Sequence, residues 1–145
     1  MHGFPHACIS LGLIVNKRPV LGVIYNPFLD QLYTGLKGHG AFLSSPHSAV
    51  PALAAPRRLP LARPRPLPSL GQALIGIEWG SDRSKEMVDK KGDSFKLLAG
   101  NPAEGVVGGK MAHSLRSYGS AALNYAIVAQ GGLDMYWCVL VFVSA

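Results

Sequence analysis

Cysteine is scarce in this 145-residue chain, and so are long apolar runs. Only Cys8 and Cys138 are present, and neither belongs to a C-x-x-C pair. This excludes a disulfide framework and favours a reduced, cytoplasmic setting. The apolar run over residues 135–143 is too short to cross a bilayer, and the first residues lack the basic stretch of a secretory signal. We therefore expect a cytoplasmic protein without a membrane partner.

Acidic residues are absent between Asp30 and Glu78, and much of the positive charge lies in that gap. The gap contains a proline-rich stretch with four arginines, which are Arg57, Arg58, Arg63 and Arg65. Without them the formal net charge would fall from +6 to +2, which is ordinary for a globular domain. The stretch also contains no aromatic residue on which a base could stack. We therefore expect no nucleic-acid partner.

The pattern of apolar runs and turns divides the chain into four parts. Residues 1–43 carry short apolar runs separated by polar turns, which predicts an antiparallel β-meander. Residues 44–70 are biased toward Pro, Ala, Arg and Leu without any period, which predicts a disordered surface insertion. The P-x-x-P spacing that proline-binding grooves recognise is absent from it. Residues 71–137 predict a strand–helix–helix remainder of the same domain, and residues 138–145 form an apolar tail.

The second half of the chain predicts alternating strands and helices. Ser120 is placed to cap the second of two helices, which Gly131 and Gly132 would end. The charges of the first helix interleave and are typical of a solvated face. In chain order, we expect a strand over residues 73–79, a helix from Ser81 or Asp82 to about residue 98 that is broken or frayed near Gly92, a helix over residues 120–130, and a strand within residues 134–143.

No local motif for catalysis is present. The five histidines are scattered, and Gly3 and Pro5 argue against a helix that would align His2 and His6 on a metal. The chain contains no P-loop, no G-x-G-x-x-G and no G-x-S-x-G elbow. Cys8 lies in an apolar run, which is typical of an inert buried thiol. Taken alone, these residues indicate an α/β domain and no mechanism.

Five longer blocks change this interpretation. They are residues 4–12 (FPHACISLG), 22–27 (GVIYNP), 33–42 (YTGLKGHGAF), 115–124 (LRSYGSAALN) and 128–137 (VAQGGLDMYW). Together and in this order, they resemble the inositol monophosphatase family. The resemblance covers nearly all of residues 1–137 apart from the proline-rich stretch, and so many blocks in order are unlike a chance match.

The resemblance implies a fold and an activity. Members of this family are layered α/β/α/β/α phosphatases, usually dimeric, that hydrolyse inositol phosphate or related sugar phosphomonoesters with Mg²⁺. Their metal ligands come from a Glu on an early helix, a D-P-x-D-G-T loop and a W-D motif. Such acidic oxygen ligands suit a hard cation, which would generate the attacking hydroxide and stabilise the leaving oxygen.

The chain departs from this pattern at its two ends, and the tail of residues 138–145 does not resemble the family. Its first residues match those that follow the D-P-x-D-G-T loop, and Cys138 and Ala145 stand where the family has a substrate-contacting Glu and a metal-binding Asp. From the resemblance we expect a truncated, fungal-like member with an incomplete α/β/α/β/α sandwich. We expect no catalytic residue and no metal ligand in it, so that this chain would not bind Mg²⁺ and would be inactive alone. The alternative is a non-catalytic fragment that pairs with a full-length relative.

One substrate-binding segment of the family does match. Gly119, Ser120 and Ala121 correspond to a helix N-terminus that contacts the sugar hydroxyls. Free N–H groups and a capping hydroxyl point outward at such a position. The simpler interpretation is that Gly119 and Ser120 only start a helix.

The resemblance further implies inositol phosphate or a related sugar phosphate as ligand, and a homo- or heterodimer.

Overall fold

The computed structural model describes residues 3–61 and 66–138. They contain an antiparallel and a parallel sheet together with helices, which confirms the predicted α/β class. The chain folds into two compact units. The first comprises Met1–Pro64 and Ser120–Gly132, and the second comprises Arg65–Gly119 and Leu133–Ala145. Residues 120–132 thus group with the first part of the chain, and the predicted four-part division stays a prediction.

The first unit is built on a five-stranded antiparallel sheet in the order β1-β2-β3-β4-β5. The first four strands form the predicted meander. The turn between the first two has positive φ at Asn16 (50°) and Lys17 (60°), as a tight two-residue hairpin requires. The strands are β1 (Ile9–Val15), β2 (Arg18–Asn26), β3 (Gln31–Leu36), β4 (Gly40–Ser44) and β5 (Arg57–Arg58).

The proline-rich stretch differs from the prediction of a disordered insertion. A short helix, α1 (Pro51–Ala54), is followed by β5, which pairs with β4 through Leu43 and Arg57. The Leu61 N–H then donates to the Gln130 carbonyl at 3.1 Å. Proline prevents long regular elements, but it permits a helix start and an edge strand of two residues. Residues 62–65 of the predicted insertion lie outside the described residues.

A helix near the end of the first unit completes its core. Helix α3 (Ala121–Gln130) is capped by Ser120 and ends at Gly131 with φ of 87°, which confirms both predicted boundaries. Tyr33, Leu43 and Ala126 form the buried cluster between sheet and helix. The Tyr33 hydroxyl donates to the Gln130 Oε1 at 2.8 Å, so this buried tyrosine has a polar partner.

The second unit contains a three-stranded parallel sheet in the order β7-β6-β8. The central strand is the most buried, since Ile75 is completely inaccessible to solvent. Its strands are β6 (Leu74–Ile77), β7 (Ser114–Arg116) and β8 (Met135–Trp137). The strand predicted within residues 134–143 is therefore found as β8, and residues 139–143 lie outside the described part.

Helix α2 (Lys85–Ala99) connects two strands of the second unit. Its N-cap is Ser84, whose Oγ accepts the Met87 N–H at 3.3 Å, and not Ser81 or Asp82 as predicted. The helix continues through Gly92, where an added Cβ would meet no atom within 4 Å. The predicted solvated face is confirmed by two exposed i,i+4 ion pairs, Lys85–Asp89 and Glu86–Lys90.

None of the described helices has the length and apolar character needed to cross a bilayer.

Candidate substrate-binding site

In the first unit, polar groups are presented at the N-terminus of α3. Ser120 has extended backbone (φ −132°, ψ 110°), and its Oγ accepts the Leu123 N–H at 3.4 Å. The Ser120 carbonyl accepts the Asn124 N–H at 3.0 Å, which is the first intrahelical bond. Ala121 is exposed, and first-turn amides such as its own have no intrahelical acceptor. An oxygen-rich ligand can therefore find a hydroxyl donor and an amide donor side by side.

The Cys8 thiol lies close to this helix end. Its Sγ lies 3.7 Å from the Ser120 Oγ, and either atom can be the donor. The thiol is half-buried, whereas the sequence predicted a buried one. Because this contact is weak, the Ser120 hydroxyl keeps its ability to donate to a ligand.

A carboxylate of the second unit holds the residues that precede Ser120. Glu78 follows directly after β6, and its Oε1 accepts the N–H groups of Tyr118 and Gly119, each at 2.7 Å. Its Oε2 accepts the Ser117 hydroxyl at 3.0 Å. Sequence analysis missed this residue. The only sequence signal for its role was a carboxylate immediately after an apolar strand. Its hydrogen-bond partners lie 39 to 41 positions further along the chain.

The Glu78 contacts change the role expected of Gly119. The expectation was that free N–H groups of this segment would meet the sugar, but the Gly119 N–H is engaged by a carboxylate. Gly119 has φ of 92°, a conformation that L side chains rarely adopt, and an added Cβ would meet no atom within 4 Å. Gly119 thus combines a left-handed backbone with open space, and a sugar contact by Gly119, Ser120 and Ala121 stays a prediction.

The acidic side chains are scattered along the chain, with Asp30 in the first unit and the other seven in the second. All eight Asp and Glu residues of the chain lie within residues 3–61 and 66–138. In those ranges, no three His, Cys, Asp or Glu side chains come close enough together to hold a metal ion. Cys138 is half-buried, and Ala145 lies outside the described residues. The described residues do not fit the Mg²⁺ that the resemblance implies, since a hard cation needs several oxygen ligands.

Asp30, the single acidic residue in the sequence of the first unit, holds a loop. Asp30 accepts the His47 N–H at 2.9 Å, and its Oδ1 lies 2.8 Å from the His47 Nδ1. Desolvation raises the pKa of the Asp30 carboxyl, but the hydrogen bonds and charge of His47 outweigh it, so this pKa lies below its ordinary value of 3.8. Desolvation and the neighbouring Asp30 raise the pKa of the Tyr25 hydroxyl, which donates to Asp30. This cluster ties the β2–β3 turn to the loop after β4.

Comparison with known proteins assigns the family. Residues 1–139 match the model of the inositol monophosphatase family, and the chain belongs to this family. It is 40% identical over 140 residues to inositol monophosphatase 2 of Saccharomyces cerevisiae, and 39% identical over 142 residues to protein qutG of Emericella nidulans. Each alignment covers 94% of this chain and 41% of the relative. The chain thus spans less than half the length of the curated relatives that it matches, and the two relatives named here are fungal.

Solved structures give the same family. The inositol monophosphatase from Anabaena (Nostoc) sp. PCC 7120 aligns with a TM-score of 0.70 and 31% identity, over 94% of this chain and 46% of that one. A Staphylococcus aureus protein, SaIMPase-II with inositol monophosphate bound, aligns with a TM-score of 0.63 and 28% identity. That alignment covers 93% of this chain and 42% of the other. The α/β architecture described above is therefore an inositol monophosphatase fold.

Proposed function

We propose that this chain carries a sugar-binding segment of a phosphomonoesterase that acts on inositol phosphate or a related sugar phosphate. The observation that carries the proposal is the exposed N-terminus of α3, where the Ser120 hydroxyl and the Ala121 N–H are available as neighbouring donors. Membership of the inositol monophosphatase family supports it. So does the inositol monophosphate bound to the staphylococcal neighbour. Gly119 supports this segment through its backbone conformation.

The second part of the proposal concerns catalysis. Uncatalysed phosphomonoester hydrolysis is so slow that enzymes accelerate it up to about 10²¹-fold. Two hydrogen-bond donors to sugar hydroxyls do not supply such a factor, and the dispersed carboxylates offer no group that would hold Mg²⁺. We therefore expect these 145 residues, without an added polypeptide, to bind the sugar phosphate but not to hydrolyse it.

Binding and hydrolysis are tested on the same purified chain. Nuclear magnetic resonance with ¹⁵N label follows the amides of Ser120 and Ala121 during titration with myo-inositol 1-phosphate, with inorganic phosphate as the control titration. Saturable shifts at these amides that phosphate alone does not reproduce are the expected result. Phosphate release is measured in parallel with and without Mg²⁺. Absence of the shifts would refute the binding proposal, and Mg²⁺-dependent turnover by protein free of host phosphatase would refute the second part.

A second candidate is a non-catalytic fragment that pairs with a longer relative. Strand β1 lies at one edge of the sheet, and all seven of its residues are exposed. It has no charged residue, and Leu11 and Ile14 are 62% and 67% exposed. Natural edge strands usually carry charges or prolines that discourage pairing, so an uncharged apolar edge favours pairing with another polypeptide.

Co-purification with a full-length family member tests this pairing. The variant Ile14→Lys places a charge on β1 and is expected to abolish it, whereas Val107→Lys, at a loop residue that is 89% exposed, is the matched control. Sedimentation of the chain alone shows whether it forms a homodimer instead. A monomer that captures no full-length relative would exclude this candidate. For either candidate the proposed compartment is the cytoplasm, based on the two free cysteines, and cell fractionation tests it.

A further inference from the structure

The first unit is strongly basic. Its sequence carries six Lys and Arg residues and a single carboxylate, Asp30, which gives it a formal charge of +5. The second unit has eight basic and seven acidic residues and is close to neutral, at +1. An anionic partner is therefore attracted mainly by the first unit.

Hairpin topology places most of this charge at one end of the five-stranded sheet. In a meander the first and third turns lie at the same end, and here the Lys37 N–H of the third turn donates to the Val20 carbonyl of β2 at 2.9 Å. Arg58 pairs with Phe42 but reaches toward that end, since its guanidinium lies 3.6 Å from where a Cβ on Gly40 would stand. The basic end of the sheet consists of four exposed residues, Lys17, Arg18, Lys37 and Arg58.

No carboxylate of the first unit neutralises the basic end. Asp30 belongs to the β2–β3 turn at the opposite end, and the nine residues of β2 separate the two ends by about 27 Å. This distance is several times the Debye length of about 8 Å at physiological salt. Within residues 3–61 and 66–138, none of the four basic side chains enters an ion pair.

Apolar side chains accompany these cations at the β1–β2 hairpin. Ile14 and Val15 directly precede the turn and are 67% and 47% exposed. Surfaces that bind anionic lipid combine the same two features, because basic side chains meet the headgroups while apolar side chains enter the acyl boundary. A single-stranded nucleic acid would in addition use aromatic rings for stacking, and the four basic residues and the hairpin turn include none. The combination favours a lipid surface.

We propose that the basic end of the first unit docks reversibly on an anionic membrane surface, with Ile14 and Val15 at the lipid. This replaces the sequence-based expectation of no membrane partner, which rested on the lack of a spanning run and of a secretory signal. Docking at the surface of a bilayer requires neither. The inference does not depend on sugar-phosphate binding at α3.

Sedimentation of the full chain with lipid vesicles tests the docking. The vesicles contain one part phosphatidylserine to two parts phosphatidylcholine, or phosphatidylcholine alone, at an ionic strength of about 0.15 M. Each Lys or Arg near such a surface contributes about fivefold in affinity, so the double variant Lys17→Gln/Arg18→Gln should bind the anionic vesicles about 25-fold more weakly. The matched control, Lys85→Gln/Lys90→Gln, removes the same charge from α2, where both lysines pair with carboxylates, and should bind as the wild type does.

A tryptophan reporter tests whether the hairpin tip reaches the lipid. Ile14→Trp should be quenched by brominated acyl chains in the anionic vesicles, whereas Val107→Trp, at an exposed loop residue of the second unit, should not. Thermal unfolding shows which variants are folded. If Lys17→Gln/Arg18→Gln does not fold, Lys37→Gln takes its place, with an expected loss of about fivefold.

Four results would overturn the inference. The first is a wild-type chain that does not sediment with the anionic vesicles or that binds phosphatidylcholine alone equally well. The second is an equal loss of affinity in the two double variants, which would reduce the effect to net charge. The third is a vesicle-bound Ile14→Trp chain without quenching. The fourth is binding to poly-uridylate but not to the vesicles, which would assign the basic end to nucleic acid.

Discussion

Two serine caps with hydrogen bonds of nearly equal length allow the structural and ligand-binding roles of Ser120 to be separated. Ser120 accepts the amide of the residue three positions on at 3.4 Å, and Ser84 does the same at 3.3 Å at the start of α2. Replacing a serine cap by alanine costs about 0.5–2 kcal/mol. Both contacts are long for a hydrogen bond, so we expect the lower half of that range, about 0.5–1 kcal/mol, for Ser120→Ala and for Ser84→Ala.

The two variants should differ in ligand binding. Only Ser120→Ala removes a proposed ligand donor, so it should weaken binding of myo-inositol 1-phosphate, whereas Ser84→Ala should bind as the wild type does. Ser120→Asp separates the two roles further. A carboxylate caps a helix well and is favoured at its N-terminus, but it offers no proton and repels the phosphate. This variant should keep its stability and lose binding.

Urea unfolding monitored by far-UV circular dichroism gives the stability of each variant, and the amide titration gives its affinity. A loss of about 1 kcal/mol should lower the melting temperature by about 4–8 °C in a unit of fewer than 100 residues. Equal binding by Ser120→Ala and Ser84→Ala would show that the Ser120 hydroxyl does not contact the ligand. Unchanged stability of both would show that these caps contribute nothing measurable, and the argument from cap geometry would be wrong.

Three further predictions concern stability. The pKa of Asp30 lies below its ordinary value, so its contacts with His47 stabilise the fold above about pH 3.8, and this stabilisation is lost as the pH falls through the folded pKa. Asp30→Asn should therefore be less stable than wild type at pH 7. The difference should vanish in urea unfolding curves measured at acid pH. Leu43→Ala should cost about 2–5 kcal/mol in urea unfolding, because this side chain is 98% buried, and a smaller loss would mean that the site collapses around the cavity. Gly109→Ala should prevent the second unit from packing, since the added methyl would overlap the carbonyl of Gly100, and native-like thermal unfolding of that variant would contradict the described loop.

The local elements were largely predictable from the sequence. The alternation of short apolar runs with polar turns gave the four-stranded meander, and a serine before an apolar stretch that ends in Gly131 gave both ends of α3. The start of α2 was placed too early, because Ser81, Asp82 and Ser84 are all residues that cap helices. The choice among them depends on which side chain reaches the N3 amide, and here Asp82 instead accepts the Ser84 N–H.

Contacts between distant residues were not predictable in this way. Proline density predicted disorder for residues 44–70, yet β5 pairs with β4, because two residues of edge strand need few donors. Sequence analysis also missed Glu78, because the order of the strands, and not any local spacing, brings its hydrogen-bond partners to it. No local pattern in the sequence therefore indicated that this carboxylate holds residues 117–119.

The assignment of α3 to the first unit has a consequence for synthesis. The chain leaves that unit before residue 65 and returns to it for Ser120–Gly132, so neither unit is a continuous stretch of sequence. On the ribosome, the meander emerges long before Ala126 is available to cover Tyr33 and Leu43. Its apolar face must therefore stay unprotected while more than half of a second folding unit is made. A nascent chain of this topology leaves that face uncovered until residues 120–132 have been made, and a single cut between the units cannot yield either one intact.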